Sequence, residues 1–137
     1  MIWLCRDSAA FDAADLSRLL ALATGERHLQ ALVYHHHTDR VNSALAYVLL
    51  RIALYHRNGD SRRPELVNDR NGTPDFAEPG DLPWFSFSHA RHAVAVALAP
   101  VPIGVDVEEP VRYDGSWCRS LRSPTERAEV ETAADPD

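Results

Sequence analysis

The sequence has little cysteine, no long apolar run and no excess of positive charge, and each shortage removes a class of protein. Its two cysteines, Cys5 and Cys118, form neither a metal-binding motif nor a disulfide framework, which points to reduced thiols in a cytoplasm. No stretch approaches the roughly 20 apolar residues that cross a bilayer. The N-terminus lacks the basic start and apolar run of a secretory signal. A soluble, cytoplasmic protein with no membrane partner is expected. The net charge of -6 argues against a general nucleic-acid binder. Internal repeats and low-complexity tracts are also missing. What remains is one domain's worth of chain, 137 residues that are 45% hydrophobic and 25% charged, enough to build an ordinary globular core.

Patterning predicts an α+β arrangement, a helical layer packed on a small, mostly antiparallel sheet. Met1 to Arg6 reads as a short strand. Leu16, Leu19 and Leu20 recur at helical spacing between Ala9 and Ala23, with Asp7 or Ser8 as the cap. Thr24 caps a second helix that carries Leu29, Leu32 and Val33 on one side. The most regular helix runs from Asp39 to Tyr55, through Val41, Leu45, Val48, Leu49 and Ile52, and Asn58-Gly59-Asp60 ends it. Residues 58–83 hold four of the nine prolines and read as an irregular connection with one short strand at Glu65 to Asn68. Three alternating runs follow, Trp84 to Ser88, His92 to Leu98 and Ile103 to Val107, which predict an antiparallel meander. Ser123-Pro124-Thr125-Glu126 has the signature of a helix start: a serine cap, proline in the first turn and glutamate as capping-box partner.

Chemistry concentrates in Pro102-Ile103-Gly104-Val105-Asp106-Val107-Glu108. Strand side chains alternate, so Asp106 and Glu108 emerge on one face while Ile103, Val105 and Val107 face the other. Neighbouring carboxylates repel unless a cation lies between them, and oxygen-only ligands suit Mg²⁺ bound with a phosphate. The same pattern also describes a half-buried strand with a solvated acidic face. His35-His36-His37 looks like a metal site, but successive residues on a helix do not face one another, so the run reads as surface.

The ordered series Asn71-Gly72-Thr73-Pro74, Phe85-Ser86-Phe87-Ser88-His89, Gly104-Val105-Asp106-Val107-Glu108 and Ser123-Pro124-Thr125-Glu126 resembles the 4'-phosphopantetheinyl transferases of the Sfp class, over the span from Glu26 to Glu131. Those enzymes transfer the phosphopantetheine arm of coenzyme A to a serine of an acyl or peptidyl carrier protein. The resemblance implies one lobe of a two-lobed fold at residues 1–109, with 110–137 as linker and start of the second lobe. It implies that Asp106 and Glu108 hold Mg²⁺ against the coenzyme A pyrophosphate. It also implies that Ser88 and His89 form a coenzyme A-binding pair whose histidine contacts phosphate, that Arg27 meets the 3'-phosphate end, and that Gly72, Thr73 and Pro74 form the turn near the adenine. Arg51 matches a recurrent arginine of the long helix. Glu126 is a further catalytic candidate, set against a plain role in its helix cap.

Departures from the family pattern are equally specific. Thr73 stands where the family has lysine, Asn42 where it has arginine, and Gln30 where a second basic residue follows Arg27. The family's next helix, with its third acidic ligand and catalytic lysine, has no counterpart in the sequence. The expectation is a partner-dependent half-enzyme completed by a second chain, either another copy or a separately encoded second lobe. The alternative is a non-catalytic relative that docks a carrier protein or a partner enzyme. A half-lobe would also expose apolar surface that favours association.

Overall fold

The computed structural model of the chain describes residues 1–70, 72–78, 80–110 and 123–133. Its most strongly alternating segment, β5 (Ala93–Ala99), forms the middle of a three-stranded antiparallel sheet between β1 (Ile2–Arg6) and β4 (Trp84–His89). Register pairs Leu4 with Ala95 and Ala95 with Ser88. Val94, Val96 and Leu98 enter the core, and Phe85 and Phe87 pack against it from β4. Because strand side chains alternate, Ser86 and Ser88 belong to the opposite face, beside Ala97 and Ala95.

One face of the sheet is covered by α3 (His37–Asn58), against which α1 (Ala13–Leu22) and α2 (Gly25–Val33) pack, as the α+β reading expects. The long α3 supplies most of the core, with Val41, Tyr47, Leu50 and Leu54 essentially inaccessible. Gly59 ends it in the left-handed region at φ 72°, a conformation that costs glycine little, and its N–H donates to Tyr55 O at 2.8 Å. The start of α1 differs from expectation. Asp7 takes a left-handed conformation, Ser8–Ala10 forms a single 3-10 turn, and Asp12 is the cap. Asp12 wins because it pairs reciprocally with Asp15: Asp15 N donates to Asp12 Oδ1 at 2.9 Å, and Asp12 N donates to Asp15 Oδ2 at 3.3 Å. Donation from the Asp15 backbone holds the Asp12 carboxyl below the usual range.

Helix α2 is inverted. Leu29, Leu32 and Val33 do share a side, but that side is 66%, 43% and 77% exposed, while Arg27 and Ala31 are buried. Residues 58–83 contain the expected strand, β2 (Leu66–Asn68), and a second one, β3 (Pro74–Phe76), pairing antiparallel with it. A three-residue strand is too short to show alternation, and Pro74 at its start obscures it further.

The meander stops at β5. Residues 103–107 alternate in exposure as a strand would, yet they join the sheet through serine hydroxyls instead of a backbone ladder. Val105 N donates to Ser86 Oγ at 3.2 Å and Val107 N to Ser88 Oγ at 3.0 Å. The hydroxyls satisfy backbone donors that a neighbouring strand would otherwise take. The last described element, α4 (Pro124–Ala133), starts as expected: Glu126 N donates to Ser123 Oγ at 3.4 Å. Asn71, Cys118 and most of the expected linker lie outside the described residues. Among the described residues no helix is long and apolar enough to cross a membrane.

Tyr47 ties α3 to the connection. Its buried hydroxyl donates to Pro64 O at 3.0 Å, and burial pushes its pKa above the usual phenol value. The folded state therefore prefers the neutral phenol. This contribution is complete below the ordinary tyrosine pKa and is lost as pH rises through the folded value. Tyr47→Phe should lower stability by about 1 kcal/mol at neutral pH. Denaturant titrations across the alkaline range should show the variant losing less stability than the wild type.

Candidate functional site

Strand β4 sends consecutive residues to opposite faces, and this divides the Ser88-His89 pair. His89 turns to the helical side with Phe85 and Phe87 and lines a cavity of about 440 Å³. Ser88 turns to the far side and meets the acidic segment. The sequence treats the two as one motif; the fold gives them separate partners.

The cavity on the helical side is bounded by β4, the buried end of α2 and the turn before β3. Arg27, Gly72, Thr73, Pro74 and His89, all candidates from the sequence, line it. Arg27 is only 7% exposed; its guanidinium carbon lies 5.1 Å from the Phe87 ring centroid and its Nη1 donates to Gln30 Oε1. Cation–ring attraction and that hydrogen bond hold the fork in one orientation against the cavity wall. Gln30, where a second cation was expected, therefore positions the first one.

The turn that carries Thr73 and Pro74 is closed by Asp69. Thr73 N donates to Asp69 Oδ1 at 2.8 Å, Gly72 N to Asp69 O at 2.9 Å, and Asp69 N to Thr73 O at 2.8 Å. Gly72 sits at φ 82°, where a side chain would be strained. Thr73 and Pro74 also line a neighbouring cavity of about 590 Å³, so β3 and its turn separate two hollows. Asn42 is buried, and its Nδ2 donates to Ala90 O at 3.0 Å, fixing the chain directly after His89. It has the same positioning character as Gln30. Arg51 binds Leu22 O at 3.1 Å and lies outside the cavity lining.

On the other side of β4, Asp106 is anchored. Its Oδ1 accepts from Ser88 Oγ at 2.8 Å and from Val107 N at 2.9 Å. Asp106 and Glu108 are both exposed, whereas Ile103, Val105 and Val107 are half-buried, so both carboxylates face solvent on one side of the segment. Among the described residues neither forms an ion pair; the neighbouring Glu109 faces His92 at 3.9 Å. Two exposed carboxylates, one already oriented through a single oxygen, fit a hard divalent cation such as Mg²⁺. Among the described residues no third histidine, cysteine or carboxylate completes a ligating cluster, so water or phosphate oxygens would fill the shell. Glu126 is exposed in the first turn of α4, where Ser123 caps it, and among the described residues no hydrogen bond or ion pair joins it to Asp106 or Glu108.

Three participants escape the sequence reading. Ser86 braces Val105, and Tyr34 and Ser43 help line the Arg27 cavity. The matched spacing of Ser86 and Ser88 with Val105 and Val107 carries a signal for the first. Tyr34 and Ser43 become visible only once α2 and α3 are packed. His35, His36 and His37 are exposed as expected, and only His37 belongs to α3.

The chain contains no lysine; all of its permanently cationic side chains are arginines. The chemistry of the site therefore falls to arginine, histidine, hydroxyl and carboxylate groups. In comparisons with known proteins the chain matches no family model and no curated protein sequence.

Proposed function

We propose that this chain binds coenzyme A and Mg²⁺ as one part of a 4'-phosphopantetheinyl transferase and works in a cytoplasm with a carrier protein. The supporting observation is the 440 Å³ cavity. Residues separated by more than sixty positions, Arg27, Thr73, Pro74 and His89, line one hollow beside the strand that anchors Asp106. These are the residues for which the family resemblance implies coenzyme A and metal contacts.

In this reading the Arg27 fork and His89 hold phosphate oxygens by charge-assisted hydrogen bonds. Pro74 and the turn fixed by Gly72 lie against the nucleotide. Ser88 keeps Asp106 oriented, and Asp106 and Glu108 together would hold Mg²⁺, which when bound neutralises charge on the pyrophosphate. The carrier serine oxygen attacks the β-phosphorus, the bond to the bridging oxygen breaks, and 3',5'-adenosine bisphosphate departs. Glu108, exposed beside Asp106, is the group in this chain available to accept the serine proton. A lysine, where the reaction uses one, would come from outside this sequence, which has none.

Calorimetry with coenzyme A tests the binding step. Micromolar, Mg²⁺-dependent binding is expected, and no heat with or without Mg²⁺ would sink the proposal. One observation favours the non-catalytic reading, a scaffold that docks a carrier protein or partner enzyme: Arg27 is already engaged by Gln30 and Phe87. Carrier-protein binding without coenzyme A binding would decide for that alternative.

A further inference from the structure

We propose that the larger hollow, which shares the Thr73-Pro74 turn with the Arg27 cavity, receives an arginine side chain of a partner protein together with an apolar neighbour of that arginine. The hollow encloses about 590 Å³. Its walls are aromatic and apolar. Phe76 of β3 and Phe85 of β4 stand with ring centroids 4.7 Å apart, and Trp84, 53% exposed, joins them. Leu82, Pro102 and Ile103 extend the apolar lining. Indole is the ring that attracts a cation most strongly, and this one is open to solvent.

The occupant's charge follows from carboxylates that line the hollow itself. Asp75 and Glu78 are both exposed in its wall, and among the described residues the lining includes no arginine or histidine. Neither carboxylate forms an ion pair among the described residues. Asp75 Oδ1 accepts from Phe76 N at 2.8 Å, a neutral donor that leaves the charge in place. Arg62 owes its stabilisation first to Asp60, which it binds at 2.7 Å, and least to Glu78. Asp69, the third carboxylate of the lining, holds the turn by accepting from Thr73 N at 2.8 Å, and the occupant does not require it.

Size and shape then select arginine. Among the described residues no three carboxylate, histidine or cysteine groups could hold a metal ion, so these carboxylates do not close around a small cation. A guanidinium spreads its charge over a plane, stacks on rings and donates to carboxylates from several N–H groups, whereas an ammonium is a compact, strongly hydrated point charge. One guanidinium leaves much of the hollow unfilled, and an aliphatic neighbour fits the apolar lining that remains. A small polyamine would satisfy the carboxylates and leave Leu82 and Ile103 without a partner, which places the cation on a polypeptide.

The probe is a fluorescently labelled Leu-Arg-Leu peptide, read by anisotropy against the full chain, with Leu-Lys-Leu as its equally charged counterpart. These assays contain no coenzyme A, so their outcome is independent of the function proposed above. The arginine peptide should bind more tightly than the lysine one and weaken as salt is raised. Trp84→Ala, at an exposed position, should leave the chain folded by circular dichroism and weaken the arginine peptide about fivefold. Asp75→Asn combined with Glu78→Gln should weaken it about tenfold and flatten its salt dependence. A lysine peptide bound at least as tightly, binding of neither peptide, or indifference to Trp84→Ala would overturn the assignment. Loss of coenzyme A binding in Trp84→Ala would give the hollow to the nucleotide and overturn it as well. Sedimentation showing self-association that Trp84→Ala abolishes would give it to a second copy, with the same consequence.

Discussion

Asp106→Asn should abolish the Mg²⁺-dependent part of coenzyme A binding while leaving the fold intact. Asparagine keeps Oδ1, the atom that accepts from Ser88 Oγ and Val107 N, so the segment stays tied to β4. What disappears is the negative charge and the second carboxylate oxygen. An interaction with a charged group contributes about 1.5–3 kcal/mol, which predicts roughly ten- to hundredfold weaker binding with Mg²⁺ present. Without Mg²⁺ the two proteins should bind equally. Ser88→Ala is the control with opposite logic: it keeps the charge and removes the hydroxyl that holds both Asp106 and Val107. Its loss should be smaller, and should persist when Mg²⁺ is raised to saturation, because misplacement of a ligand is not the same defect as its absence. If Asp106→Asn binds coenzyme A and Mg²⁺ as tightly as the wild type, the metal pair is only a solvated acidic face.

The elements with strong periodicity were legible from sequence, and the exceptions have identifiable causes. Strand β5 and helix α3 are long enough for periodicity to specify their type; of the expected α3 stripe Val41, Leu45 and Leu49 are buried, Val48 is half-buried and Ile52 is exposed. Helix α2 defeated the same rule. Its leucines have the spacing of a core face, yet Arg27 and Ala31 are buried instead. The competing interaction is the seat of Arg27 over Phe87, supplied by β4 sixty residues away, which no local pattern reports. Residues 103–107 defeated the strand rule for a related reason. Alternation describes which side chains are covered, but not whether neighbouring backbone or a serine hydroxyl satisfies the N–H groups.

For the candidate site, the fold brings together only some of the residues that the sequence singles out, and that grouping was not legible. Ser88 and His89 are adjacent in sequence and diverge in space, one holding the acidic segment and the other lining the cavity. Gln30 and Asn42 read as lost cations when each position is considered alone. In the fold each has a polar partner, Arg27 and the Ala90 carbonyl respectively. Loss of charge at those positions therefore coincides with gained positioning of the groups that remain. This distinction matters for an anionic ligand, because a few well-held cations can substitute for several mobile ones when the donors are pre-organised.

Arg27 is the sharpest case, and Arg27→Met should separate its structural contribution from its binding one. Methionine preserves much of the buried volume and removes the guanidinium. Loss of the contact with Phe87 should lower stability by about 0.5–2 kcal/mol whatever the protein does. Reduced stability alone therefore carries no functional information. Coenzyme A affinity, measured on variant that circular dichroism shows to be folded, is the discriminating quantity. An arginine holding phosphate makes paired, charge-assisted hydrogen bonds, and removing them should weaken binding about ten- to hundredfold. Arg27→Lys should recover only part of that loss, because a point charge cannot stack flat on Phe87 or reproduce the fork. Dephospho-coenzyme A supplies the internal check. If Arg27 meets the 3'-phosphate, the variant should bind the two forms alike, whereas wild type should prefer the phosphorylated one. A variant that retains the wild-type preference would assign Arg27 to packing and leave His89 as the phosphate-facing group of the cavity.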